Sequence, residues 1–166
     1  MNSLICNNDN KDKIDCDMGL DFVEPVIVPV TLISSDEMCK ITLEPSVLNI
    51  SKYVKTICDV DNTVTEIKLD KVDGETLEHI VEFMKHFEIE KFTEFPSPIY
   101  SNDFAYECKI QWYIDYTNTF SVQKLLEIMC GANYMEITPL INLIGLKIAT
   151  LVKDKSQKDL EALFKF

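Results

Sequence analysis

The sequence predicts an α+β domain in which a small three-stranded sheet with helices is followed by a purely helical C-terminal extension. Three observations carry this reading. Two short β-branched runs flank a polar turn near the start, and a third short run precedes a strongly periodic helix. Everything from Ser121 onward has helical spacing and no strand signal. At 166 residues the chain fits one domain, long enough to bury about two-thirds of its unfolded surface.

The elements follow in order. Residues 1–25 are rich in Asn, Asp and Lys without periodicity, and are expected to form a disordered acidic extension. Residues 26–33 and 38–43 read as the strands of a β-hairpin, with Ser34-Ser35-Asp36-Glu37 as its turn. Pro45 opens a helical turn, and 50–58 is an amphipathic helix carrying Tyr53, Val54, Ile57 and Cys58. Residues 60–63 form a polar loop before a third strand, 66–69, with Ile67 and Leu69 inward. Asp73 caps a helix that runs to Phe87, with the stripe Leu77, Ile80, Val81, Met84 and Phe87. From 88 to 110 the pattern dissolves into a long connection, broken by Phe95-Pro96-Ser97-Pro98. Connections of this length tend to be functional, and the aromatics Phe92, Phe95, Tyr100, Phe104 and Tyr106 imply that part of it packs down. A helical turn with Trp112 and Tyr116 on one face leads on to Ser121.

The C-terminal extension starts with a helix over 121–130, whose Val122, Leu125, Leu126 and Met129 share a face. A hinge is expected over 131–137, and then Thr138 as N-cap with Pro139 opening a helix that runs to Lys153. That helix is apolar along two lines: Leu140, Ile144 and Leu151, and, about a third of a turn round, Ile141, Ile148 and Val152. It is either fully enclosed in the core or faces a second chain on one side. Gly145 lies on the second line, where glycine costs roughly 1 kcal/mol relative to alanine and close approach by a neighbouring helix is the expected return. Ser156-x-x-Asp159 is a capping box for a last helix with Leu160, Leu163 and Phe164 on one side.

Composition narrows the functional classes. The hydrophobic share is 46%, and the net charge of -12 comes from 16 basic against 28 acidic residues. Such a surface repels phosphate backbones, and the lysines are scattered, so no nucleic-acid partner is expected. A basic protein partner would be steered favourably. No apolar run is long enough to span a membrane. Residues 1–25 carry six acidic groups and no continuous apolar segment, unlike a signal peptide. Cys6, Cys16, Cys39, Cys58, Cys108 and Cys130 are therefore expected as reduced thiols in cytoplasm or nucleus.

Nothing in the sequence argues for an enzyme. His79 and His86 lie seven apart on one helix without carboxylates or thiols at metal spacing, so no metal is expected. Neither phosphate-cradling glycine motif occurs, so no cofactor is expected. Cys130 has no histidine near it in sequence and is expected in the core rather than as a nucleophile.

Ala132-Asn133-Tyr134-Met135-Glu136-Ile137, Leu140-Ile141, Ile148-Ala149 and the closing Leu160-x-x-x-Phe164 resemble the second half of the Skp family, the S-phase kinase-associated adaptors of cullin–RING ubiquitin ligases. Val30-Thr31-Leu32-Ile33-Ser34-Ser35-Asp36, Lys55-Thr56-Ile57, Ile67-Lys68-Leu69 with Val72, and Trp112-x-x-x-Tyr116 resemble its first half. The resemblance covers about residues 28–166 and implies a BTB/POZ fold, shared more distantly with elongin C. It also implies a division into a BTB/POZ-like part, 26–137, and C-terminal Skp-type helices, 138–166.

By the same resemblance, the protein is a non-enzymatic adaptor of an SCF-type ligase, bridging a cullin to F-box substrate receptors for ubiquitin-dependent degradation. Asn133 and Tyr134 would face the cullin; Ile141, Gly145, Ile148, Val152, Leu160 and Phe164 would face the F-box. A tyrosine beside Asn133 is either an exposed interface anchor or a buried, hydrogen-bonded ring. An unfilled receptor groove would leave an apolar patch and a tendency to self-associate. Two departures stand out. Longer family members continue past the last helix with a tail that helps grip the F-box, and Ser156-Gln157 replaces a common Thr-Pro. An elongin-C-like adaptor binding a short receptor helix, or a BTB/POZ scaffold without cullin, are the alternative expectations.

Overall fold

The structure, a computed structural model, describes residues 28–95 and 98–164. Its order is β1 (Val30–Ser34), β2 (Lys40–Leu43), α1 (Pro45–Leu48), α2 (Lys52–Val60), β3 (Glu66–Leu69) and α3 (Gly74–Ile89). Then come α4 (Phe104–Cys108), α5 (Gln111–Asn118), α6 (Val122–Tyr134), α7 (Thr138–Val152) and α8 (Gln157–Phe164). The expected extension over 1–25 lies outside the described residues.

The three strands form one sheet in the order β2-β1-β3, with β1 antiparallel to β2 and parallel to β3. Val30 pairs with Leu43, and Leu32 with both Ile41 and Ile67. Alternation along β1 buries Val30 and Leu32, while Ile67 and Leu69 of β3 do the same. This face packs with α3, and α6 and α7 pack on in turn. The first strand starts at Val30 rather than at 26: Pro29 lacks the N–H a ladder needs, and Val26 lies outside the described residues. The second starts at Lys40 rather than at 38, because Glu37 turns the chain at φ 59 and leaves Met38 at 86% exposure.

Asp36 ties the hairpin to α3. Its carboxylate accepts from the Ser34 hydroxyl, the Met38 N–H and, at 3.1 Å, the Gly74 N–H. These donors, Ser34 foremost, hold the Asp36 carboxyl below its ordinary value of 3.8. A depressed carboxyl stabilises the fold fully above the unfolded value and loses that contribution as pH falls through the lower folded value. Asp36→Asn is therefore expected to be less stable than wild type at neutral pH, with the gap narrowing below pH 3.8. Urea midpoints measured from pH 7 down to pH 3 check this; a gap that does not change with pH contradicts it.

The helices differ from expectation where capping or packing decides. α2 starts at Lys52 rather than at 50, because the Ser51 hydroxyl accepts the Val54 N–H and also donates to the Met135 carbonyl at 2.6 Å. The stripe of α3 is as expected, but Phe83 joins it with no exposure, ringed by Phe87, Phe92, Tyr113 and Tyr116. The connection 88–110 is shorter than expected. α3 reaches Ile89, and Asp103 caps the extra helix α4, which ends at Lys109 with φ 63.

The hinge expected over 131–137 shrinks to Met135–Ile137, since α6 continues to Tyr134. Gly131 is inside that helix because α3 lies against it: a Cβ there would meet Ile80 Cδ1 at 2.8 Å and Thr76 Cγ2 at 3.1 Å. The buried arc of α6 is Leu125, Ile128, Gly131 and Ala132, rotated from the expected stripe. Cys130 lies on the opposite side and is exposed, not core. Ile137 takes the N-cap position of α7, so Thr138 is the first helical residue instead of the cap.

Candidate functional site

α7 resolves its two apolar lines differently. Leu140, Leu143, Ile144 and Leu146 are buried and face the core, whereas Leu151 is only half-buried. The second line, Ile141, Gly145, Ile148 and Val152, is half-buried along its whole length. Steps of four, three and four residues keep these four on one face of the helix. The helix is thus enclosed on one face and half-open on the other, not fully enclosed in the core.

Part of that open face is concave. Ile141, Asn142, Gly145 and Leu146 of α7, Met129 of α6, and Glu94, Phe95 and Ile99 of the segment after α3 line a shallow groove of about 440 Å³. A Cβ on Gly145 would meet nothing within 4 Å. The expected close approach by another helix of this chain is therefore absent among the described residues. The missing side chain instead deepens the groove between Ile141 and its neighbours.

The structure brings Ile141 and Gly145 into this groove and leaves Ile148 and Val152 on the same face of α7, outside the lining. Leu160 and Phe164 sit on α8, half-buried, with α8 against α6. The capping box of α8 forms as expected. The Ser156 hydroxyl donates to Asp159 at 2.7 Å, and the Asp159 N–H donates back to Ser156 Oγ at 3.3 Å.

Ile99 is a groove residue that sequence reasoning did not single out, while Phe95 was expected only to pack down and Met129 only to share the apolar face of its helix. Aromatics in an irregular stretch and a half-exposed methionine on α6 are the only signals they leave. Phe95 stacks on Phe92 with centroids 4.7 Å apart, and Phe92 meets Tyr113 edge-on at 4.8 Å.

A second surface lies at the α6–α7 junction. Asn133 is exposed, but Tyr134 falls between its two expected states. The ring is half-buried 5.1 Å from that of Tyr53, and their hydroxyls are 3.3 Å apart. The Tyr53 hydroxyl, and secondarily burial, raises the Tyr134 phenol above its usual value. Lys71 lies 5.9 Å over the ring. Beneath it, the Ser51–Met135 hydrogen bond fixes the start of α2 against the junction.

The histidines pack as ordinary rings. His79 meets Phe120 edge-on at 4.6 Å, and His86 stacks on Trp112 at 3.8 Å while pairing with Glu90. Among the described residues, no group of three or more His, Cys, Asp or Glu is placed to hold a metal ion. No described helix is long and apolar enough to cross a membrane.

Residues 29–88, from the start of β1 through most of α3, match the Skp1 family, tetramerisation domain. Over these residues the chain is similar to the Skp family. SKP1-like protein 14 of Arabidopsis thaliana is 25% identical over 134 residues, covering 80% of each chain. The S-phase kinase-associated protein 1 homolog of Tetrahymena thermophila is 26% identical over 129 residues, 75% of this chain and 74% of that one. Both likenesses run well beyond the matched domain. The mixed architecture of this chain fits a BTB/POZ-like domain with a helical extension.

Proposed function

We propose that this chain bridges a cullin and F-box substrate receptors, joining them without chemistry of its own. The half-open face of α7 carries the reading. Gly145 leaves room beside Ile141 where no described residue comes within 4 Å of an added Cβ, so an apolar helix from a receptor has a place to seat. Ile148, Val152, Leu160 and Phe164 would extend that contact along α7 and α8. The cullin would dock at the α6–α7 junction, with exposed Asn133 reading polar groups and the half-covered Tyr134 ring offering a flat apolar contact on a rigid base. The division of labour follows the chain, residues 26–137 for the cullin and 138–166 for the receptor. The bridge would work in cytoplasm or nucleus. Without a receptor, the exposed apolar groove favours pairing with a second copy.

The double variant Asn133→Lys/Tyr134→Lys tests the junction. Capture from native extract is expected to lose the cullin, by about tenfold or more, while F-box proteins are retained. Equal retention of both partners by the variant would place the cullin elsewhere, and absence of both from wild-type captures would end the bridging reading.

A further inference from the structure

Glu94, Phe95 and Ile99, between α3 and α4, form one side of the groove, and the described residues around them are fastened from several directions. Just after α3 the Tyr113 hydroxyl donates to the Glu90 carbonyl, and Phe92 sits among Phe83, Phe87 and Tyr113. Further on, the Lys153 ammonium at the end of α7 donates to the Ile99 carbonyl at 3.1 Å. Glu107 of α4, only 4% exposed, accepts from the Tyr100 N–H at 2.9 Å and the Ser101 N–H at 2.6 Å. A buried carboxylate oxygen that accepts from two successive backbone N–H groups fixes the path of the chain it holds. Ile99 is thereby placed in the groove lining with Met129, Ile141 and Gly145, and Phe95, stacked on Phe92, joins it there; both are half-buried.

We infer that Phe95 and Ile99 are specificity-determining residues, which decide among receptor helices by the size of the side chain each brings to the groove. This rests on the bridging reading, since it concerns the same groove. α7 and α6 supply a floor that any apolar helix can contact. The opposite side is set by the Phe95 ring, which stacks on Phe92, and by the Ile99 side chain, whose carbonyl Lys153 holds and whose following residues Glu107 holds. In an apolar site, a side chain's fit changes affinity by roughly 10–200-fold for each methylene gained or lost. Phe95 is therefore positioned to favour small residues opposite it and to exclude large ones, while Glu107 and Lys153 act as positioning residues.

The experiment compares full-length wild type, Phe95→Ala, Ile99→Ala and Glu107→Gln. Each is co-expressed with a set of F-box proteins and captured with its cullin, and every receptor is quantified against the cullin in the same capture. Phe95→Ala and Ile99→Ala are expected to reorder the receptors, with individual ratios shifting about tenfold in both directions and cullin capture unchanged. Glu107→Gln, which leaves the site smaller in charge but not in bulk, is expected to shift the same receptors less strongly. A proportional loss of every receptor would show a merely structural role and overturn the inference while leaving the bridge intact. An unchanged receptor profile in all three variants would overturn it as well. If wild type captures no F-box protein, the bridging reading falls and this inference falls with it.

Discussion

Phe83→Ala is expected to lower the unfolding free energy by about 3–5 kcal/mol, the range for removing a fully buried phenylalanine. Phe83 has no exposed surface, and its ring stands 5.6 to 6.4 Å from those of Phe87, Phe92, Tyr113 and Tyr116. Truncation removes the ring's transfer energy and leaves a cavity walled by rigid aromatics that cannot collapse to fill it. The effect reaches the groove, because Phe92 both touches Phe83 and stacks on Phe95. Urea unfolding followed by Trp112 fluorescence measures it directly: this single tryptophan stacks on His86 at 3.8 Å and on Tyr116 at 5.0 Å. Phe83→Leu keeps most of the volume and is expected to cost clearly less. A loss below about 1 kcal/mol for the alanine variant, under the range for core truncation, would show that the aromatic cluster is not close-packed.

Ile148→Asp is expected to leave the fold stable and abolish receptor binding, an effect of about 100-fold or more. Ile148 is half-buried, so a carboxylate in its place keeps access to solvent in the free chain. A docked apolar helix would have to desolvate that charge without a partner for it, which is the costly direction. Leu143→Asp, five residues earlier on the same helix but fully buried, should instead unfold the protein. The pair of variants separates surface from core. Thermal melts and binding titrations against a purified F-box protein give the answer, and loss of folding in Ile148→Asp would mean that its face belongs to the core.

Which parts of this structure could be read from the chain follows from how local their causes are. The third strand, the Asp73 cap, the α3 stripe and the Ser156–Asp159 box rest on spacing within a few residues, and all form where expected. The errors have distant causes. Gly131 reads locally as a helix breaker, and only the approach of Ile80 and Thr76 from α3 makes it a helix interior. α4 reads as loop because its hold on the chain comes from a buried Glu107 reaching back to Tyr100 and Ser101.

The site divides in the same way. The half-open line of α7 was visible as periodicity, because a helix with two apolar lines announces two neighbours. The groove's other side was not, because Phe95 and Ile99 reach it through tertiary anchors on α4, α5 and α7. Tyr134 shows the limit of a residue pair as a signal. Only the structure reveals that Tyr53, 81 positions earlier, shares its hydroxyl.

The central claim is that one copy of this chain holds two partners at once on separate surfaces. The most direct measurement is the mass in solution of the purified chain mixed with a cullin N-terminal domain and an F-box protein, by light scattering on a sizing column. A single species containing one of each, formed only when this chain is present and lost with Ile148→Asp, is the predicted result. Two separate binary complexes, with the cullin and the F-box protein displacing one another, would contradict the bridge.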